Sequence, residues 1–140
     1  MSDRFDLASR FIRALPHVQA LGINLVSLGE GTAVMSLPYN EKVVGDPETG
    51  VIHGGAVSTL MDTCCGTAVM SHPTGALSTA TLNLRIDYMR SATPGQTIEA
   101  EATVYHVTRS VAFVRVTTTD DDKAHPVATA HAVFTLERAA

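Results

Sequence analysis

The chain has 140 residues, 45% of them hydrophobic and 17% charged, with a formal net charge of −4. That is enough chain for a single cored domain over residues 1–140 but not for two, and too apolar for a disordered one. The acidic balance and the absence of any Lys/Arg run exclude non-specific nucleic-acid binding, and no apolar run reaches the roughly 18 residues of a membrane helix.

The opening Met1-Ser2-Asp3-Arg4-Phe5-Asp6 lacks the basic-then-apolar order of a signal peptide, so a cytoplasmic protein with no membrane partner is expected. Phe5, Ala8, Phe11, Ile12 and Leu15 then fall on one helical face, with Arg4, Arg10 and Arg13 off it. The spacing predicts an amphipathic helix over about residues 3–15, stopped by Pro16 and capping the open end of a core. Residues 23–28 and Thr32–Leu37 are β-type runs, and Gly29-Glu30-Gly31 between them reads as a hairpin turn. Residues 39–52 read as a loop carrying Gly45, Pro47 and Gly50, a length usually found in functional or mobile segments.

One long helix is predicted over Gly54–Ser71. Val57, Leu60, Met61, Cys64 and Ala68 make an apolar stripe along it, while Ser58, Thr59, Asp62, Cys65 and Gly66 on the other side are all short. No Lys, Arg or Glu occurs from Gly55 to Met70, so the helix should be buried on most sides. Asp62 is then a carboxylate held inside, where carboxylates seldom stay without a partner or a task. The adjacent Cys64 and Cys65 point apart, which predicts two buried thiols rather than a disulfide.

Pro73 and Gly75 end that helix. In the next strand Leu82, Leu84, Ile86 and Tyr88 alternate with Thr81, Asn83, Arg85, Asp87 and Met89, which predicts an apolar inner face and a polar outer one. Strands follow at 97–107, 111–119 and 127–136; Asp120-Asp121-Asp122-Lys123 reads as a solvated turn. A helix followed by meandering strands argues for an antiparallel sheet and an α+β class. Inward Ala100, Ala102, Ala128, Ala130 and Ala132 would let the sheet curl closely around one helix.

The chemistry centres on the helix start. First-turn N–H groups are unpaired and sit at the positive end of the macrodipole, so the Gly54 N–H is a candidate oxyanion donor, and Gly55 beside it allows close approach to the backbone. Asp62 lies about 12 Å further along the axis, too far to act on the same atom. Two antiparallel helices in a dimer would bring the two groups together. His53 either positions a substrate carbonyl or orients the loop; the second is favoured because no acid adjoins it. The six histidines show no ligand spacing, so no metal is expected.

His53-Gly54-Gly55, six residues and then Asp62 on a long helix resemble the hotdog-fold thioesterases of the phenylacetic-acid-degradation (PaaI-like) type. Residues 44–52 resemble that family's loop into the helix and residues 78–90 its long strand after it, so the likeness runs over roughly residues 20 to 137. It implies a hotdog fold, an antiparallel sheet wrapped around one central helix. It also implies an acyl-CoA thioesterase that needs no cofactor beyond the coenzyme A of its substrate. The implied assembly is a dimer with shared active sites, doubled to a tetramer. Asp62 would be general base or nucleophile, Gly54 the oxyanion donor, and Thr81 the Ser/Thr that helps place the attacking water. Where the family often has Asn, six residues before the histidine, this chain has Pro47; the neighbouring Asp46 either substitutes or makes an Asp-Pro turn. Arg90 and Arg109 are candidates by position for the phosphates of coenzyme A. Two other readings are a hotdog hydratase, which generally pairs a catalytic His with an acid in a different motif, and a non-catalytic acyl-CoA or lipid-binding module. Asp62 argues against the first, and Asp62 with Gly54 against the second.

Overall fold

Period-two alternation with alanine on the inner positions makes a sheet that a helix can approach closely. The computed structural model, which describes residues 3–139, shows this arrangement. Its six-stranded antiparallel sheet is built from β1 (Asn24–Leu28), β2 (Thr32–Leu37), β5 (Thr81–Tyr88), β6 (Ile98–Val107), β7 (Val111–Thr119) and β8 (Ala128–Thr135), in the order β1-β2-β6-β7-β8-β5. The helix α3 (Gly54–Ser71) lies on the inner face. Met35, Leu37, Ala100, Val114 and Ala130 pack beneath its Leu60, Met61, Cys64 and Ala68, all essentially without solvent contact. The fold is therefore α+β, an antiparallel sheet wrapped around one long central helix.

Several elements differ from expectation. The N-terminal helix α1 (Asp3–Arg13) is followed by a second short helix, α2 (Pro16–Leu21). Pro16 starts α2 rather than merely ending α1, because proline's fixed φ and missing N–H suit the first helical position. The 39–52 segment is not plain loop: a 3₁₀ turn (Glu41–Val43) leads into a small hairpin of β3 (Val44–Asp46) and β4 (Val51–Ile52). The buried arc of α3 is also wider than its apolar stripe. Cys65, expected on the far side, is fully buried, whereas Asp62 and Gly66 are half-buried and Met70 is exposed.

The edge strand β5 departs from its alternation for a clear reason. Its pairing with β8 matches Thr81 to Phe134 but Asn83 to Val133, so Leu82 is an extra, bulged residue. From Leu84 onward the strand keeps the expected facing, with Leu84, Ile86 and Tyr88 opposite the buried Ala132, Ala130 and Ala128. The bulge turns Thr81 onto that same inner face and leaves Leu82 57% exposed. Tyr88 faces inward yet remains 52% exposed, because α3 packs mainly on β2, β6 and β7 and covers β5 only lightly.

The charged turn after β7 is also not fully solvated. Asp120 has no exposed surface and takes two hydrogen bonds from the Arg90 guanidinium, at 2.8 and 2.6 Å.

Candidate active site

At the start of α3 the amide hydrogens on either side of Gly54 are paired. The His53 N–H bonds the Val43 carbonyl at 2.8 Å, and the Ala56 N–H bonds the His53 carbonyl at 2.9 Å. The Gly55 N–H donates to His53 Nδ1 at 2.8 Å, so the imidazole is the helix cap. Of the four orphan donors of a helix N-terminus this leaves one. Among the described residues the Gly54 N–H has no acceptor. A Cβ at Gly55 would stand 2.9 Å from His53 Nδ1, so the cap itself requires glycine there. One at Gly45 would meet the His53 Cα at 2.8 Å, so β3 presses directly against the cap.

Tyr88 clamps the same turn from the sheet, its hydroxyl donating to the Gly54 carbonyl at 2.9 Å. In the sequence Tyr88 is only one of the inward residues of its strand, and nothing local marks it out. An open pocket of about 410 Å³ lies here, walled by Gly54, Val57, Tyr88, Arg90 and Ser91.

Two turns further along α3, Thr81 donates to Asp62 Oδ1 at 2.7 Å. The β5 bulge makes this contact; unbroken alternation would have pointed Thr81 away from the helix. Both residues line a separate pocket of about 240 Å³, with Phe11, Leu15, Gly66 and Phe134 among its walls. Asp62 and Gly54 thus occupy the two ends of the α3–β5 pair, each fixed by a β5 hydroxyl, and they open into different pockets of one protomer.

The remaining candidates separate from this geometry. Asp46 is exposed and its carboxylate closes its own turn, accepting from the Glu48 N–H at 3.0 Å and the Thr49 hydroxyl at 2.8 Å. These bonds hold its carboxyl below the usual range, the Thr49 hydroxyl contributing most. Arg90 lines the Gly54 pocket, but four of the five guanidinium hydrogens have acceptors: two on Asp120, one on the Ser91 carbonyl and one on the His125 carbonyl. Arg90 is therefore a structural partner of Asp120 rather than a free phosphate ligand. Arg109 is exposed in the β6–β7 turn, where Ser110 accepts from the Leu136 N–H. That is the Thr81 end of the sheet, opposite Arg90, so the two arginines cannot rim one site of one chain.

The cysteines do not offer a nucleophile. Both are free and fully buried, and burial pushes the Cys64 thiol up to about 12 and raises Cys65 as well. Among the described residues no helix is long and apolar enough to cross a membrane.

An antiparallel sheet wrapped around one long central helix is the hotdog fold. Residues 49–126 match the model of the thioesterase superfamily, and the chain belongs to that family, with its hotdog fold. It is 35% identical over 105 residues to a Halobacterium salinarum protein named only as a candidate esterase, covering 72% of this chain and 69% of that one. It is 32% identical over 88 residues to the Escherichia coli acyl-coenzyme A thioesterase PaaI, covering 63% of this chain and 59% of that one. A crystal structure of a Pseudomonas aeruginosa protein superposes with a TM-score of 0.83 at 39% identity, over 94% of this chain and 97% of that one. The E. coli PaaI structure shares the fold, with a TM-score of 0.83 at 23% identity over 94% and 91% of the two chains.

Proposed function

We propose that the chain is an acyl-CoA thioesterase, hydrolysing a thioester to a free carboxylic acid and coenzyme A, with each reaction centre built from two subunits. The observation that carries this reading is the single unclaimed N–H of Gly54 on a helix whose Thr81-held Asp62 lies two turns away. In one chain the donor and the carboxylate are about 12 Å apart along the axis. A second chain with its α3 antiparallel to the first would bring the Asp62 of one to the Gly54 of the other.

The chemistry then needs few parts. The thioester carbonyl oxygen accepts the Gly54 N–H and gains stabilisation as negative charge develops on it. Asp62 either removes a proton from the attacking water or attacks the carbonyl carbon itself. By the first route the water oxygen forms the new C–O bond as the C–S bond breaks. By the second the Asp62 oxygen forms it, giving an anhydride that water then opens to the free acid and the restored carboxylate. In both the thiolate leaves with little need of an acid. Thr81 orients the Asp62 carboxylate. His53 acts as the cap that commits the Gly55 N–H and leaves Gly54 free.

The test is thiol release from aryl, short and long acyl-CoA substrates by wild type and Asp62→Asn. Wild type should turn over, and the variant should lose about 10²–10⁴ in kcat with unchanged thermal unfolding. Turnover that survives Asp62→Asn would end the mechanism.

A further inference from the structure

The Asp62 pocket runs away from the reaction centre along a strip of small and apolar side chains. On α3, Gly66 and Met70 follow Asp62 at one-turn intervals; on α1, Phe11 and Leu15 face them, and Phe134 adds a wall from the sheet. At Phe11 and Met70 the pocket meets a second hollow of about 250 Å³ that reaches Leu7 and Leu28. Phe11 is 67% exposed and Met70 42%, so neither is consumed by the core. Glycine inside a helix is destabilising relative to alanine, which asks what Gly66 is for. A Cβ there would stand 3.4 Å from Phe134 and narrow the pocket where it leaves Asp62.

The polar groups of the wall are already engaged. The Thr81 hydroxyl is on Asp62, the Thr79 hydroxyl on the Thr135 carbonyl and the Thr67 hydroxyl on the Thr63 carbonyl. Their hydrogens are therefore spent, and a polar substituent entering the trough finds few donors among these side chains to replace the water it loses. A plain hydrocarbon loses nothing there.

We infer that this trough holds the acyl chain, and that the preferred substrate is an unsubstituted aliphatic thioester of medium length, with Phe11, Gly66 and Met70 setting how far the chain runs. The inference rests on Asp62 as the reaction centre, because that places the acyl group at the trough's mouth. A dry cavity of about 150 Å³ admits the six carbons of benzene, so the trough of about 240 Å³ suits roughly eight to ten. Longer chains must pass between Phe11 and Met70.

The experiment measures kcat/KM for linear acyl-CoAs from butyryl to palmitoyl and for phenylacetyl-CoA. Alongside it, Kd is measured for the matching S-alkyl-CoA thioethers, which cannot be hydrolysed. Each added methylene should raise kcat/KM about three- to fourfold up to octanoyl or decanoyl, after which the series flattens. Phe11→Ala, at an exposed position, should lower the decanoyl-to-butyryl ratio at least about tenfold, and Gly66→Leu should move the optimum to shorter chains. A flat series, a preference for phenylacetyl over octanoyl, or ratios unchanged in both variants would overturn the inference. Should wild type hydrolyse nothing, the thioesterase reading fails, and the thioether series decides the trough alone. Tightening with length that Phe11→Ala removes keeps it; a flat Kd series ends it.

Discussion

Gly54 carries its proposed role through a backbone atom, so ordinary side-chain substitution is a poor probe of it. A Cβ at Gly54 would meet only the Tyr88 ring, at 3.6 Å, which is normal contact. Proline is the informative change. Gly54 is the first residue of α3, where proline's φ suits the helix, and His53 before it has φ −60° and ψ 135°, the extended conformation a following proline requires. Gly54→Pro should therefore unfold near the wild-type temperature while losing about 10²–10³ in kcat, as removal of one oxyanion donor does. Calorimetry and a thiol-release assay on the same sample check both halves. Asp62 differs in kind, since its acting group is the side chain itself. Thr81 needs the bulge to reach it, a dependence that no residue-by-residue reading of β5 exposes.

Among the elements, the segment after β5 is tied to the turn after β7 by Arg90 and Asp120. Asp120 is wholly buried, and its carboxyl is held well below the usual range, first by the Arg90 guanidinium and then by the Thr93 and Asp122 N–H groups, against the opposing cost of burial. A carboxyl depressed in the folded state stabilises it above the unfolded value of about 3.9, and that stability is lost as pH falls through the folded value. Urea midpoints should thus hold near neutrality and decline in acid below about pH 4. Arg90→Met leaves Asp120 buried without its cation. It should lower the urea midpoint at neutral pH and flatten the acid dependence, because the Thr93 and Asp122 N–H groups alone then oppose the cost of burial. A urea series on both proteins at neutral and acid pH reads the two slopes.

At the scale of the whole molecule, β5 is an edge strand with Leu82 and Tyr88 exposed, Met89 just after it is exposed too, and the adjoining side of α3 is only half-buried. An exposed apolar edge of this kind invites pairing with another chain. The two-subunit reading has a direct genetic test. Asp62→Asn and Gly54→Pro protomers should each be inactive alone. After subunit exchange, each mixed dimer carries one site with both lesions and one with neither. Random mixing should restore about a quarter of wild-type activity, since half the dimers are mixed and half their sites intact. No recovery despite verified exchange would place donor and carboxylate in the same chain and refute the assembly.

The sequence by itself determined most of the architecture. The 18 residues of α3 and the inward faces of β6 and β8 follow from local periodicity, which is a property of neighbouring residues. His53, Gly54 and Asp62 were legible for the same reason, since their spacing lies within one helix. Only the tertiary structure decided what depends on register and on contacts distant in sequence. The bulge that turns Thr81 onto Asp62 is set by pairing with β8, and the Tyr88 clamp spans 34 residues. The burial of Asp120 within a run of acids is decided by Arg90, 30 residues away. A hydrogen bond across such a separation leaves no periodic trace in the chain, because either partner alone is an ordinary strand or turn residue until the fold brings the other to it.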